Sequence, residues 1–182
     1  MKLTKPAIAL GALLAVGGLF TCNPHGCAPK KAKAKVGSSS YAPVPLRELK
    51  EVRLKKYDCD TQAIFTGEQG IYNYDVEVGT ATGDITFLCN SQSIPDRFQV
   101  RCGGELVVDT GFIGNPHFND DLRKAGYGPV KNSGYMKFTL NKTLKKPTTV
   151  EIKIIAPFPG TAWECYVSCP GSSIDDSLLE RY

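Results

Sequence analysis

Seven cysteines and two histidines carry most of the reactive chemistry available to this 182-residue chain. The cysteines are Cys22, Cys27, Cys59, Cys89, Cys102, Cys165 and Cys169, and the histidines are His25 and His117. A thiol nucleophile needs a base at its side. His25 lies in a stretch rich in Pro, Lys and Ser, and His117 lies in the loop Gly114-Asn115-Pro116-His117, so neither has an evident partner. The run Cys22-Asn23-Pro24-His25-Gly26-Cys27 holds Cys, His and Cys, and a structural zinc site usually needs a fourth ligand. The chemistry that remains for these thiols is cross-linking, and no metal site or cofactor is expected.

The acidic residues lead to the same place. Asp109-Thr110-Gly111 has the order of an aspartic protease signature, in which two aspartates share one proton, but it occurs once. It reads better as a turn in which Asp109 accepts backbone amides and Gly111 supplies an unusual dihedral. Asp84, Asp96, Asp109, Asn115, Asn119, Asp120 and Asp121 fall near expected loops, as calcium ligands would, yet without EF-hand spacing. They read as turn residues and helix caps. Serine hydrolase, P-loop and dinucleotide signatures are absent from the sequence. No catalytic residue is assigned.

The N-terminus says where the chain works. Lys2 and Lys5 precede an uncharged run, Pro6 to Thr21, that ends at Cys22. A positive start followed by a short apolar run is the order of an export signal, and the run is short for a spanning helix. With Cys22 at its end, the segment resembles a bacterial lipoprotein signal, which implies a lipid on Cys22 and attachment to a membrane. Ordinary cleavage nearby and a retained N-terminal anchor are the alternatives. Lipidation would leave six cysteines, Cys27, Cys59, Cys89, Cys102, Cys165 and Cys169, enough for three disulfides.

Residues 1–46 contain six lysines and no acid; taking these from the formal charge of +4 leaves −2 for residues 47–182. The folded part therefore lacks the basic face that a nucleic-acid partner requires. The sequence divides into a leader at 1–21, a basic tether at 22–45, a folded domain at 46–170 and a tail at 171–182. Four prolines, a Lys-Ala alternation and Gly37-Ser38-Ser39-Ser40 leave the tether nothing to bury.

From Leu46 onward the apolar residues recur with period two. Tyr72, Tyr74, Val76 and Val78 form one set; Ile85, Phe87 and Cys89 another; Phe98, Val100 and Cys102 a third. Val150, Ile152 and Ile154, then Trp163, Cys165, Val167 and Cys169, continue the pattern, with further strands expected at 106–109 and 135–140. Such runs are strands with one wet face. About seven to nine of them, separated by Gly, Pro, Asn and Asp, predict an all-β antiparallel β-sandwich of jelly-roll type. One short helical insertion is expected, capped by Asn119 and stopped by Gly126. Trp163, on the apolar phase, belongs to the core. Residues four apart on a strand are separated by about 13 Å, too far for Cys165 to bridge Cys169 directly. Cys89 and Cys102 lie on consecutive strands that could form a hairpin, which makes them a reasonable pair. Some of the thiols could also stay reduced in the core.

The segment from Gly83 to Pro170 resembles a β-sandwich module of uncharacterised secreted bacterial and phage-associated proteins. The likeness is carried by Gly83-Asp84-Ile85-Thr86, by Ile94-Pro95-Asp96-Arg97-Phe98-Gln99-Val100, by Val108-Asp109-Thr110-Gly111-Phe112, and by Gly160-Thr161-Ala162-Trp163 with Cys169-Pro170. It implies a surface or structural module and no activity. The expected function is a non-catalytic binding or interaction module, exported and lipid-anchored at the cell envelope. Its partner would be an envelope or surface protein, a glycan or an incoming virus. A structural building block of a phage or surface assembly is the alternative, and a small exported hydrolase the third. A binding module should present a concave or aromatic patch at its loops. A building block should present a broad apolar surface, and a hydrolase should set Asp109 or His117 beside a second titratable group.

Overall fold

The computed structural model describes residues 42–67 and 69–172. The leader, Cys22, Cys27, His25, nearly all of the tether and most of the tail lie outside the described residues. Eleven strands and one short helix follow: β1 (Glu51–Arg53), β2 (Tyr57–Asp58), β3 (Thr61–Gly67), β4 (Gly70–Glu77), β5 (Gly83–Asn90), β6 (Asp96–Cys102), β7 (Glu105–Ile113), α1 (Asn119–Lys124), β8 (Val130–Asn132), β9 (Tyr135–Lys142), β10 (Thr149–Ala156) and β11 (Thr161–Val167).

Eight of these strands make a jelly roll. β3 pairs with β11, β4 with β10, β5 with β9 and β6 with β7, all antiparallel. That is one long hairpin, folded at the β6–β7 turn and rolled up. The roll lays its pairs into two sheets, in the orders β4-β10-β6-β7 and β3-β11-β5-β9. The short strands β1 and β2 add to β4 in parallel, and β8 adds in parallel to β7.

The rolled order corrects one expectation. Cys89 on β5 and Cys102 on β6 are not hairpin partners, because the chain crosses from one sheet to the other between them. The ladder neighbours of β5 are β11 and β9, and those of β6 are β10 and β7.

The period-two residues fill the space between the sheets. Tyr72, Tyr74, Phe98, Val100, Ile152 and Ile154 from one sheet meet Ile85, Phe87, Trp163, Cys165 and Val167 from the other. Trp163 is 1% exposed, stacks on Tyr74 with ring centroids 6.2 Å apart, and meets Phe98 edge-on at 6.4 Å. Each such buried side chain contributes roughly 1.5–3 kcal/mol.

A second apolar cluster forms around residues of the opposite phase. Ile71 on β4 faces Ile155 on β10, and Leu49, Phe112, Leu122 and Phe158 close over them, with Val44 at the margin. The insertion after β7 supplies Leu122 from α1. Val44 also donates its N–H to the Pro157 carbonyl, so the chain is already docked before residue 46. The helix stops at Gly126, whose φ of +84° allows Tyr127 N–H to reach back to the Leu122 carbonyl. Asn119 does not cap the helix as expected. Phe118 takes that place, and the Asn119 side chain accepts from Val130 N–H, fastening the insertion to β8.

The Asp109-Thr110-Gly111 stretch is likewise no strand end. Here β7 runs on to Ile113 through a β-bulge, in which Thr110 and Gly111 together oppose Phe98. Gly111 has φ +63°, and the Thr110 hydroxyl accepts from Phe98 N–H in place of a carbonyl. The bulge lets Asp109 and Phe112 both face away from the central core.

Candidate functional site

Two surfaces bring positioned side chains together. The first is the loop pole of the roll, where β4 passes to β5 and β9 to β10. Lys142, only 2% exposed at the end of β9, sends its ammonium inward to the Ala81 carbonyl at 2.8 Å. Next to it Asn141 donates to Asp84 Oδ1 at 2.7 Å, and the Lys146 ammonium donates to the Asn141 carbonyl at 2.8 Å. Lys146 N–H closes a turn on the Thr143 carbonyl. Together with Val78 N–H on the Thr148 carbonyl, these bonds brace the β9–β10 loop at both ends and leave Leu144 at its tip, 83% exposed. Between this loop and the β4–β5 loop is an open concavity of about 700 Å³, lined by Thr82, Gly83, Thr143, Leu144 and Lys145 among others.

The second surface is the outward face of the seven-stranded sheet. Arg97 donates from Nε to Asp109 Oδ1 at 2.7 Å and from its terminal nitrogen to Asp109 Oδ2, while the Gln99 amide and Gly111 N–H also donate to this carboxylate. The Arg97 bonds, assisted by Gly111 and Gln99, outweigh partial burial and hold Asp109 at about 2. Arg53 pairs with Asp75 and Lys56 with Glu77 on the same sheet, and Asn73 donates to Glu51. Beyond Arg97 a smaller groove of about 330 Å³ runs under the insertion, bordered by Tyr127 and Lys131.

This arrangement can hold charges in fixed places, but it does not set up proton transfer at Asp109. A carboxylate gripped by a guanidinium stays ionised, whereas a general acid or base must exchange its proton near neutral pH. His117 sits exposed on the 3-10 turn Pro116–Phe118, with its N–H bonded to the Asn115 side chain. The acids weighed as calcium ligands are engaged elsewhere. Asp84 is bonded to Asn141, Asp96 to Thr161, Asp120 to Arg123 and Asp121 to Lys124. Among the described residues no cluster suits a metal ion.

Among the described residues the cysteines separate into three situations. Cys59 and Cys169 form a disulfide. Beside it the Asp60 carboxylate accepts from Cys169 N–H, the Tyr166 hydroxyl and the Ser172 hydroxyl. Burial pushes that carboxyl up, and the three donors together hold it below the usual range. Cys89 and Cys165 are buried with their sulfurs 3.7 Å apart, and Cys102 is a buried free thiol on the facing sheet.

The chain matches no known family pattern. No curated protein matches it either. In three dimensions it is similar to the pre-peptidase C-terminal domain of a collagenase from Bacillus anthracis, at 10% identity over 66% of this chain and 96% of that one, with a TM-score of 0.37. It is also similar to CorA, a surface-associated copper-binding protein of Methylomicrobium album BG8, at 12% identity over 66% and 100% of the two chains, with a TM-score of 0.39. A further likeness is to CsCBM6-3 from Clostridium stercorarium, solved in complex with cellobiose, at 14% identity over 74% and 99%, with a TM-score of 0.27. The assignment of a jelly roll stands on the strand pairing described above.

Sequence reasoning singled out Asp109 and Gly111 and passed over the loop pole. The signal there was Leu144, an apolar residue amid Lys142, Lys145 and Lys146 in a segment too polar to be strand or core. It also passed over Asp60 and read Asp96 as a turn residue, while the roles of both depend on partners far away along the chain.

Proposed function

We propose that this chain is an exported, non-catalytic binding module, held at the cell envelope by its N-terminal segment through a lipid on Cys22, that meets its partner with the loop pole. The supporting observation is polarity of placement. Strand β10 begins just after the Thr143–Thr148 loop and ends beside Pro157, where Val44 docks. Eight extended residues span about 26 Å, so the chain enters the sandwich at one pole and presents Leu144, Lys145 and their concavity at the other. A module attached at the first pole offers the second to its surroundings. The Cys59–Cys169 disulfide fits an oxidising compartment. The partner is an envelope or surface protein or a glycan, and the folded part, with no net positive charge, disfavours nucleic acid.

The other readings are less well supported. A building block needs a broad apolar surface, and the large apolar side chains exposed among the described residues are the single residues Leu46, Leu106 and Leu144. For a hydrolase, Asp109 would have to give up Arg97.

The test is binding of the full chain to isolated envelopes of the producing cells, compared with the double variant Leu144→Ser and Lys145→Glu. Saturable binding that falls at least tenfold in the variant supports the reading. Equal binding by both proteins, or none above that of an inert protein, contradicts it.

A further inference from the structure

Cys89 on β5 and Cys165 on β11 are directly opposed in the ladder. Whether two opposed cysteines can bridge depends on which kind of pair they occupy. Ser168 N–H donates to the Thr86 carbonyl, three positions along the same pair of strands, so Thr86 and Ser168 are a hydrogen-bonded pair. The two kinds alternate along an antiparallel ladder, which makes Cys89–Cys165 a non-hydrogen-bonded pair. The other edge of β5 agrees. Ser91 N–H donates to the Gly134 carbonyl, so the amides of Ser91 and Cys89 face β9 rather than β11. Non-hydrogen-bonded pairs hold their α-carbons about 4.5 Å apart, within the range a disulfide spans. The sulfurs already stand 3.7 Å apart, and reaching a bond of about 2.05 Å needs side-chain rotation without movement of either strand.

We propose that Cys89 and Cys165 form a second disulfide, tying β5 to β11 inside the core, and that Cys102 stays reduced on the facing sheet. The oxidant is a disulfide, such as oxidised glutathione or the active-site disulfide of a thiol oxidoreductase. The Cys165 thiolate attacks one sulfur of that oxidant, expels its first thiolate and forms a mixed disulfide. The Cys89 thiolate then attacks Cys165 Sγ and expels the second thiolate. Two protein thiols become one disulfide, and one oxidant disulfide becomes two thiols. The two thiols are interchangeable in this sequence of attacks, and the balance is the same whichever reacts first. Because both sulfurs are inaccessible in the closed sandwich, exchange belongs to the stage at which β11 is joining β5.

The inference rests on the exported location only for its oxidant, so two samples separate the two ideas. The full chain is reduced, unfolded and refolded with reduced and oxidised glutathione; the same protein is also isolated from its producing cells without reductant. Both are unfolded in alkylating reagent, digested unreduced and mapped by mass. In the refolded sample the expected result is a Cys89–Cys165 linked peptide, lighter by two hydrogens than the separate peptides, with Cys102 alkylated. The Cys102→Ala variant should yield the same linked peptide. Alkylation of both Cys89 and Cys165, or a link from Cys89 to Cys102, overturns the proposal. A bond present after refolding but absent from the cellular sample leaves the pairing standing and counts against export.

Discussion

Arg97 closes on Asp109 across the β6–β7 ladder with two nitrogens on two oxygens, and it does so beside the bulge that Thr110 and Gly111 create. Without the bulge the alternation along β7 would carry Phe112 to the inner face. With it, Asp109 remains on the polar face and Phe112 still reaches the second apolar cluster. A motif that suggests proton sharing is thus a device of backbone geometry with an ion pair on top.

That ion pair sets part of the acid limb of stability. The Asp109 carboxyl lies at about 2 in the folded chain against an ordinary value of 3.8. A lowered value means stability that is present above the ordinary value and is lost as pH falls through the folded one. Asp109→Asn should lower the urea midpoint at neutral pH and flatten the loss of stability between about pH 4 and 2. An unchanged acid slope would show that the pair contributes nothing.

Asp96 behaves in the opposite sense. It is fully buried, bonded to the Thr161 hydroxyl at 2.6 Å, with Oδ1 lacking a protein partner. Burial drives its carboxyl well above the ordinary 3.8, and the Thr161 bond offsets only part of that. A raised value means that the stabilising contribution is complete below the ordinary value and is lost as pH rises through the folded one. Asp96→Asn should match the parent at about pH 4, exceed it in thermal midpoint at about pH 8, and show less decline between them. A variant less stable than the parent by the same margin at both pH values would contradict this.

The Cys59–Cys169 disulfide closes a sequence separation of 110 residues, and the Asp60 clamp fastens the end of β11 next to it. In the chain-entropy treatment a loop of this size is worth about 4–5 kcal/mol, and measured losses on removing native bridges run about 2–5 kcal/mol. The double variant Cys59→Ser and Cys169→Ser should lose stability in that range by denaturant unfolding. A loss below about 1 kcal/mol would mean that Asp60 and its three donors hold the strand end unaided.

How much of this was legible in the sequence follows from how local each cause is. Period-two runs such as Tyr72 to Val78 and Trp163 to Val167 reveal strands because alternation is a property of the strand alone, and together with the punctuation they led to the sandwich. Trp163 was read as core for the same reason. Partner choice is not local. Cys89 and Cys102 looked like hairpin neighbours, but the rolled order sends β5 and β6 to different sheets, and only the topology reveals Cys165 opposite Cys89. The Asp109 stretch resembled a turn because a bulge and a turn both use a glycine at positive φ. Asp96, Asp60 and Lys142 acquire their roles from Thr161, Cys169 and Ala81, which are distant in sequence, so no spacing rule marked them. At the loop pole the single clue was an apolar residue among lysines.

Export of the domain across the cytoplasmic membrane, with its loop pole available, is the central claim. The direct measurement places a cysteine at that pole, Leu144→Cys, and treats cells with a membrane-impermeant maleimide after the outer layers are opened and the cytoplasmic membrane is left intact. The variant also carries Cys27→Ser, and the native thiols among the described residues are buried or bridged, so labelling above that of the Cys27→Ser parent reports the new one. Full labelling before lysis is the predicted result. Labelling only after the cytoplasmic membrane is broken would contradict the account at its base.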